Sequence, residues 1–360
     1  MMNTLGVLGA AEVFRNRWLM WCGVVVVWGL VASAALAAGP GGGNPAASSS
    51  EAISVPAERD VAQWIERMHS APCRKSYAGV FVVMSANGAM SSSRIWHACD
   101  GLQQMERVES LSGTPRTVFR RNDEVRTFLP QARVVRTDRR DAAGLFPRVP
   151  VVSGTSTAQF YTSQLMGQER VAGLVSDVVW FKPLDALRFG YRLWVERDTG
   201  LVVKLQTLAL DGRVLEQAAF SELDLNASVR VEQLSRSMDS TTGYKVVAPA
   251  VVKTTAQAEG WVLRLPVAGF VPVSCHRRAV SGADDAQSVL QCLYSDGLAS
   301  VSLFLESFDP QRHPAQSQVS GMGATQLLAQ RVSPDTWVTA VGEVPLQTLR
   351  LFAGLLERAR

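Results

Sequence analysis

The sequence predicts an α+β fold made mostly of antiparallel strands, with a large curved sheet or half-open barrel followed by a smaller α+β domain. Short apolar runs alternate with turn signals between residues 77 and 223, and only one amphipathic helix precedes them. A Ser-, Thr-, Gly- and Ala-rich stretch at 235–259 then separates these runs from a second set of strands and a C-terminal helix. A curved sheet has a concave face, which is a natural place for a ligand.

The first 37 residues have the pattern of a secretory signal peptide. Arg15 and Arg17 precede an uncharged apolar run from Trp18 to Ala32, and small residues follow up to Ala37. The run has about 15 residues, whereas a spanning helix needs roughly 20. We therefore expect cleavage after Ala37, a flexible leader over 38–55 and export from the cytoplasm, with a retained membrane anchor as the alternative.

The folded part begins with one predicted helix. Val61, Trp64, Ile65 and Met68 recur at helical spacing, and Pro56 is suited to the first turn. The strands that follow are bounded by turn pairs such as Asn-Gly and Asp-Gly. They are predicted at 77–84, 94–99, 104–111, 117–121, 124–129, 133–137, 171–181, 190–196, 201–210 and 213–223. Residues 141–160 contain several Gly and Pro and are predicted as a loop or lid.

The predicted domains are a large N-terminal domain over 56–234, a linker over 235–259 and a C-terminal domain over 260–360. The smaller domain has predicted strands at 299–307 and 336–341. Its final helix opens at Pro345, and its buried stripe consists of Leu349, Phe352, Ala353 and Leu356.

Four cysteines remain after the predicted signal peptide, and they fall into two local pairs. The pairs are Cys73 with Cys99 and Cys275 with Cys292. A predicted turn at 281–285 places the second pair opposite each other in a hairpin, and a turn at Asn87–Gly88 brings the first pair close. We predict both disulfides, because an exported protein meets an oxidising compartment. Free buried thiols are the alternative, and we expect reduction to loosen the C-terminal domain first.

The sequence argues against an enzyme. It has four histidines and contains no Gly-x-Ser-x-Gly elbow, P-loop, His-Glu-x-x-His pattern or dinucleotide-binding glycine pattern. Neither cysteine pair has the Cys-x-x-Cys spacing of a zinc site, so no metal or cofactor is predicted. An exported chain is also not expected to bind nucleic acid, although its formal charge is +4.

Two regions carry candidate binding residues. Residues 107–140 contain nine arginines, which are suited to an acidic peptide or a lipid phosphate; a solvated outer face is the alternative. Arg107 and Arg120 are the candidates there. The second region runs from Lys182 to Trp194, and its candidates are Lys182, Asp185, Arg188, Tyr191, Arg192 and Trp194. Here ordinary sheet core is the alternative for the tryptophan, and a structural ion pair is the alternative for Asp185 and Arg188.

Motifs in both domains resemble the MucB/RseB family of sigma-E regulators. In the first domain they begin with Tyr77-Ala-Gly-Val-Phe, and they include Arg94-Ile-Trp-His and Lys182-Pro-Leu-Asp. In the second they include Leu265-Pro-Val-Ala-Gly-Phe and Tyr294-Ser-Asp-Gly-Leu-Ala-Ser. The resemblance spans roughly 56–358. Ala78 and Val80 depart from the Ser or Thr expected in the first strand.

The resemblance implies a half-open barrel like that of the lipoprotein carriers, joined to a regulatory domain in the periplasm. It implies that the protein binds the periplasmic segment of a membrane-spanning anti-sigma factor, that binding shields this segment from proteolysis, and that lipopolysaccharide-like lipids release it. It adds Arg94, Ser295, Asp296 and Gly297 as candidate contacts, although a tight turn is the alternative for the last three. The sequence leaves the oligomeric state open between a monomer and a homodimer, and a lipid or lipoprotein carrier is the alternative function.

Overall fold

A computed structural model describes residues 59–139, 157–248, 251–279 and 288–359. The predicted signal peptide and leader lie outside these residues. So do the turn at 281–285 and all but the last few residues of the predicted loop at 141–160.

A mixed, largely antiparallel sheet of twelve strands forms the first part of the described chain. Its strands are β1 (Tyr77–Ser85), β2 (Met90–Cys99), β3 (Gln104–Ser110), β4 (Thr117–Arg121), β5 (Glu124–Leu129), β6 (Val134–Arg139), β7 (Tyr161–Val171), β8 (Leu174–Pro183), β9 (Gly190–Glu196), β10 (Val202–Leu208), β11 (Val214–Asp224) and β12 (Lys245–Val247). The order runs β12-β6-β5-β4-β3-β2-β1-β11-β10-β9-β8-β7. Among the described residues β12 and β7 do not pair, so the sheet is half-open, as the sequence predicts.

The first helix, α1 (Val61–Ser70), begins later than predicted from Pro56. Asp60 caps it, because the side chain of Asp60 accepts a hydrogen bond from the Gln63 amide at 2.8 Å. The Gln63 side chain accepts one from the Asp60 amide at 3.1 Å, which completes a capping box. Pro56 itself lies outside the described residues. The predicted stripe is confirmed, since Val61, Trp64 and Met68 are buried.

Helix α1 packs on strands β8 to β10 through a set of buried side chains that we call the α1 cluster. Its members are Val61, Trp64, Met68, Tyr161, Val179, Phe181, Tyr191, Leu193, Val195, Val202, Leu205 and Leu298. The other face of the same strands is also buried, where Trp194 and Val203 pack with Tyr77, Ile95 and Phe220. These strands are therefore apolar on both faces, which explains their near-continuous hydrophobic sequences.

The sequence prediction missed three elements of this part. Helix α2 (Val231–Asp239) packs Val231, Leu234 and Met238 against Phe119 and Phe128 of the sheet. Strand β7 was missed because most of its residues are exposed and show no apolar alternation. Strand β12 was missed because it is only three residues long, and it pairs with β6 in parallel. The predicted linker at 235–259 thus contains regular structure, and the domain boundaries stay a prediction.

The C-terminal part is built on a second, seven-stranded sheet. The strands after residue 250 are β13 (Val251–Thr254), β14 (Trp261–Leu263), β15 (Val271–Ala279), β16 (Ser288–Ser295), β17 (Ser300–Ser307), β18 (Gln318–Met322), β19 (Thr325–Ser333), β20 (Thr336–Gly342) and β21 (Leu356–Arg358). The order is β13-β15-β16-β17-β20-β19-β18, and β14 pairs with β21 separately. Helix α3 (Leu346–Leu355) buries Leu349, Phe352 and Ala353, as predicted, whereas Leu356 opens β21.

Both predicted disulfides are present. Cys275 and Cys292 pair directly across the β15–β16 hairpin, with Cα atoms 4.1 Å apart. Cys73 ends a 3₁₀ turn that follows α1, and it joins Cys99 at the end of β2 with Cα atoms 5.1 Å apart. The first bridge therefore connects the helix to the sheet, and the second connects two neighbouring strands.

Glu196 holds the turn between β9 and β10 through hydrogen bonds to its carboxylate. Its carboxylate accepts hydrogen bonds from the Thr199 amide at 2.7 Å, the Thr199 hydroxyl at 2.6 Å and the Asp198 amide at 3.1 Å. Burial raises the pKa of Glu196, but these hydrogen bonds outweigh it and the pKa is lowered. A lowered pKa contributes stability above the unfolded-state pKa of about 4.3, and that stability is lost as the pH falls through the folded-state value.

We therefore expect Glu196→Gln to destabilise the protein at pH 7 and to differ less from the wild type at about pH 3. Urea unfolding at both pH values measures the difference. Asp198→Asn is the control, because the exposed Asp198 carboxylate takes no part in the Glu196 hydrogen bonds. If Glu196→Gln lowers the free energy of unfolding equally at both pH values, the charged Glu196 carboxylate does not have the stabilising role assigned to it.

Candidate functional site

Several sequence-predicted residues meet where the C-terminal domain contacts the large sheet. We call this group the interdomain cluster and define it by Tyr161, Asp185, Arg188, Tyr191 and Asp296. Arg188 lies in the connection between β8 and β9, and Asp296 lies in the turn between β16 and β17. The candidates from Lys182–Trp194 therefore meet Asp296, which the family resemblance adds, whereas the arginines of 107–140 lie outside this cluster.

A buried ion pair forms the centre of the cluster. Arg188 Nη1 lies 2.8 Å from Asp296 Oδ2, and both side chains are 0% exposed. Arg188 also donates from Nε to Asp185 Oδ1 at 3.0 Å and from Nη2 to the Ala268 carbonyl at 2.6 Å. One guanidinium group thus binds a neighbour in its own connection and two groups of the other domain. The planar geometry of arginine, with several fixed donors, is suited to this role.

Aromatic rings surround the guanidinium of Arg188. Its central carbon lies 4.3 Å from the ring centre of Phe160 and 5.1 Å from that of Phe270. Gly269 leaves room for this arrangement, since a Cβ atom there would lie 2.7 Å from Phe160 and 2.8 Å from Arg188 Nη1. Its φ of +81° also favours glycine. The rings lower the local exposure to water, which strengthens the ion pair electrostatically.

The turn that carries Asp296 is tight, which is the alternative that the sequence analysis gives for Ser295, Asp296 and Gly297. Asp296 Oδ1 accepts from the amides of Leu298 at 2.9 Å and Ala299 at 2.7 Å. The Ser295 hydroxyl accepts from the Gly297 amide at 3.0 Å, and Gly297 has a φ of +99°. Burial raises the pKa of Asp296, while the charge of Arg188 opposes this rise. The turn also inserts Leu298 into the α1 cluster of the other domain.

Two tyrosines border the ion pair on the side of the large sheet. The Tyr161 hydroxyl donates to Asp296 Oδ2 at 3.3 Å. Burial raises the pKa of both Tyr161 and Tyr191 well above the ordinary value. Both rings therefore stay neutral at physiological pH, and Tyr161 acts as a hydrogen-bond donor to the carboxylate.

Other contacts extend the domain boundary on both sides of the cluster. The Thr348 hydroxyl donates to the Leu187 carbonyl at 2.7 Å. Arg278 of β15 pairs with Asp138 of β6 at 3.0 Å. Ala324, in the turn between β18 and β19, is fully buried against Phe189 and Leu215. These contacts, together with the ion pair, hold the C-terminal domain against the large sheet.

The arginines predicted from 107–140 are largely engaged by the protein itself. The Arg107 guanidinium lies 4.7 Å from the Trp96 ring centre and pairs with Glu109 at 2.9 Å. Arg120 lies 3.6 Å from Glu106. Arg121 and Arg126 both bind Asp239 at the end of α2. Arg94, on β2, is exposed. A contact with a partner or lipid stays a prediction for Arg94, Arg107 and Arg120.

The remaining candidates lie near β8 and β9, outside the interdomain cluster. Trp194 is 2% exposed, and its Nε1 donates to Glu169 Oε2 at 2.7 Å. The Lys204 ammonium lies 4.0 Å from the centre of the Trp194 ring. Lys182 is exposed and Arg192 is half-buried. Trp194 thus packs as sheet core here, whereas ligand contacts by these residues stay predictions.

Five contributors to the site were not predicted from the sequence: Phe160, Tyr161, Ala268, Gly269 and Thr348. Gly269 lies within the Leu265–Phe270 motif, so the motif could have indicated it. Phe160, Tyr161 and Thr348 carried no signal, because aromatic residues at the end of a predicted loop and a threonine in a helix are ordinary.

In the described ranges no three His, Cys, Asp or Glu side chains are grouped so that they could hold a metal ion. No helix within those ranges has the length and apolar character needed to span a bilayer.

Comparisons with known proteins match both parts of the chain. The MucB/RseB N-terminal domain matches residues 60–238, and the MucB/RseB C-terminal domain matches 255–357. The sigma factor AlgU regulatory protein MucB of Pseudomonas aeruginosa is 32% identical over 308 residues, which cover 82% of this chain and 91% of MucB. The sigma-E factor regulatory protein RseB of Escherichia coli K12 is 24% identical over 290 residues, 80% of this chain and 88% of RseB.

Solved structures agree with these matches. A structure of the Pseudomonas aeruginosa MucA/MucB complex aligns with a TM-score of 0.64 and 28% identity, over 82% of this chain and 98% of the solved chain. A crystal structure of MucB in complex with MucA(peri) aligns with a TM-score of 0.63 and 26% identity, over 83% and 99% of the two chains. The chain therefore belongs to the MucB/RseB family, a family of sigma factor regulatory proteins and not of enzymes.

Proposed function

We propose that this protein is a periplasmic negative regulator of a sigma-E-type envelope stress response, which binds the periplasmic segment of a membrane-bound anti-sigma factor. The observation that supports this most strongly is the match across both domains to MucB, which has been solved in complex with MucA(peri). The pattern of residues 1–37 supports export by a cleaved signal peptide, which would place the chain in the same compartment as that segment.

We also propose that binding shields the anti-sigma factor from proteolysis and that a lipopolysaccharide-like lipid releases it. A lipid can release the partner only if it binds the free form more tightly than the complex. In this proposal the acyl chain binds the half-open sheet, and the exposed Arg94 on β2 is suited to a lipid phosphate. The interdomain cluster holds both domains together, so a partner can contact the two domains in one fixed arrangement.

Titration calorimetry of the mature protein tests this function. The ligand is the periplasmic segment of its own anti-sigma factor, added with and without lipopolysaccharide, and a peptide of the same composition in scrambled order is the control. We expect tight binding that lipopolysaccharide weakens, and no binding of the scrambled peptide. Light scattering on the same samples tests whether the protein is a monomer or a homodimer.

The alternative function is a lipid or lipoprotein carrier, which the half-open sheet would favour if it were considered alone. Binding of lipopolysaccharide without any binding of the anti-sigma segment would support the carrier and overturn the regulator. The C-terminal domain favours the regulator, because a carrier has no need of a second domain held in place by a buried ion pair.

A further inference from the structure

The two disulfides differ in their access to solvent. Cys275 and Cys292 are 6% and 2% exposed and lie in the core of the C-terminal sheet. Cys73 is exposed and Cys99 is half-buried, at the surface end of β2. Thiol–disulfide exchange requires a thiolate to reach a sulfur atom directly. A reductant can therefore reach the first bridge in the folded protein, whereas the second bridge becomes accessible only when the C-terminal core opens.

The groups around Cys73 favour its thiolate form. Gln104 Nε2 donates a hydrogen bond to Cys73 Sγ at 2.8 Å. The side chains of the next two residues, Arg74 and Lys75, donate instead to Ser70 Oγ and Asn226 Oδ1, and Asp100 is the acid next to Cys99. A hydrogen-bond donor on a sulfur lowers the cost of its thiolate and makes it a better leaving group.

The exposed bridge also controls how helix α1 is attached. Cys73 ends the turn that follows α1, and the buried His97 of β2 donates from Nε2 to the Pro72 carbonyl of that turn at 2.8 Å. The bridge and this hydrogen bond join the end of α1 to β2. Helix α1 supplies Trp64 to the α1 cluster, which receives Leu298 from the C-terminal domain.

We propose that Cys73–Cys99 is a thiol–disulfide exchange site for a dithiol reductant, and that its reduction loosens α1 and the docking of Leu298. This inference does not depend on the proposed function. It reverses the order of reduction expected from the sequence, because the C-terminal bridge is the buried one.

The reaction is a balanced two-electron exchange. A thiolate of the reductant attacks Cys99 Sγ, the bond between Cys73 and Cys99 breaks, and Cys73 leaves as a thiolate that takes up a proton. The second thiolate of the reductant then attacks the reductant's own sulfur in the mixed disulfide with Cys99. Cys99 leaves as a thiolate and is protonated, so the dithiol becomes a disulfide and the protein gains two thiols.

Graded reduction of the full mature protein with dithiothreitol, followed by alkylation and mass mapping, tests the site. We expect Cys73 and Cys99 to be labelled at least about tenfold faster than Cys275 and Cys292 under native conditions, because the buried pair must wait for the core to open. Labelling of both pairs at the same rate, or labelling of Cys275 and Cys292 first, would overturn the exchange site.

Hydrogen exchange tests the structural consequence. The variant Cys73→Ser/Cys99→Ser represents the opened bridge, and Cys275→Ser/Cys292→Ser is the matched control. We expect faster amide exchange in 61–70 and 296–299 for the first variant, and unchanged exchange in 61–70 for the control. Unchanged exchange in 61–70 for Cys73→Ser/Cys99→Ser would overturn the loosening of α1. Neither measurement uses the anti-sigma segment, so failure here is distinct from failure of the proposed function.

Discussion

Replacing Asp296 by alanine is expected to lower the free energy of unfolding by about 3–5 kcal/mol, because it removes the buried carboxylate from the buried charge of Arg188 and leaves only the part-exposed carboxylate of Asp185 beside it. The Arg188 side chain is 0% exposed, so bulk water does not solvate its charge in the folded protein. The same substitution removes the acceptor for the amides of Leu298 and Ala299, which opens the turn that inserts into the α1 cluster. We therefore expect the C-terminal domain to separate from the large sheet before the rest of the protein unfolds.

Urea unfolding followed by tryptophan fluorescence measures this loss. Asp296→Asn is the informative second variant, because its side-chain oxygen can still accept from the turn amides while the charge opposite Arg188 is removed. We expect it to be destabilised, but by less than the alanine variant. Asp211→Ala is the matched control, since its pair with Arg213 is 3.7 Å long and both side chains are about two-thirds exposed. Surface pairs of this kind contribute at most about 1 kcal/mol.

If Asp296→Ala lowers the free energy of unfolding by no more than Asp211→Ala does, the ion pair does not hold the two domains together. An intermediate in the unfolding of Asp296→Ala, with the large sheet still folded, would support the role assigned to the cluster. The anti-sigma titration can be repeated on this variant, and weaker binding is expected if the partner needs both domains in a fixed arrangement.

Replacing Trp64 by alanine is expected to cost about 3–5 kcal/mol, since it removes the largest side chain that α1 buries and leaves a cavity. Trp64 is 1% exposed, and the α1 cluster around it includes Phe181, Tyr191 and Leu298. Because Leu298 belongs to the other domain, the cavity should also weaken the contact between the domains.

Thermal and urea unfolding of the full mature protein measure the effect of Trp64→Ala. Glu66→Ala is the control on the same helix, because Glu66 is exposed and alanine favours the helical backbone. We expect the free energy of unfolding of Glu66→Ala to lie within about 0.5 kcal/mol of the wild-type value. If Trp64→Ala lowers the free energy of unfolding by less than about 1 kcal/mol, α1 is not packed on the sheet as described.

Local sequence determined much of the fold. The Asn87–Gly88 pair predicts the β1–β2 hairpin, and both strands form beside it. The spacing around the C-terminal turn predicts that Cys275 faces Cys292, which the register confirms. Helix α1 was predicted from the spacing of its buried residues, and its first residue follows from the reciprocal hydrogen bonds of Asp60 and Gln63. These features depend on residues that are close in the chain, so a single sequence carries their signal.

The tertiary structure decided which distant residues meet. Arg188 and Asp296 are 108 residues apart, and neither segment contains a local feature that requires the other. Strand β12 joins β6 across about 110 residues of chain, and three residues are too few to show a period. Sequence alone therefore determined most strands of the large sheet, the hairpin turns, the disulfide pairs and the resemblance to a family. The site at the domain boundary depends on the tertiary structure. Packing brings Arg188 and Asp296 together and removes both from water, and an ion pair can then form whatever their separation in the chain.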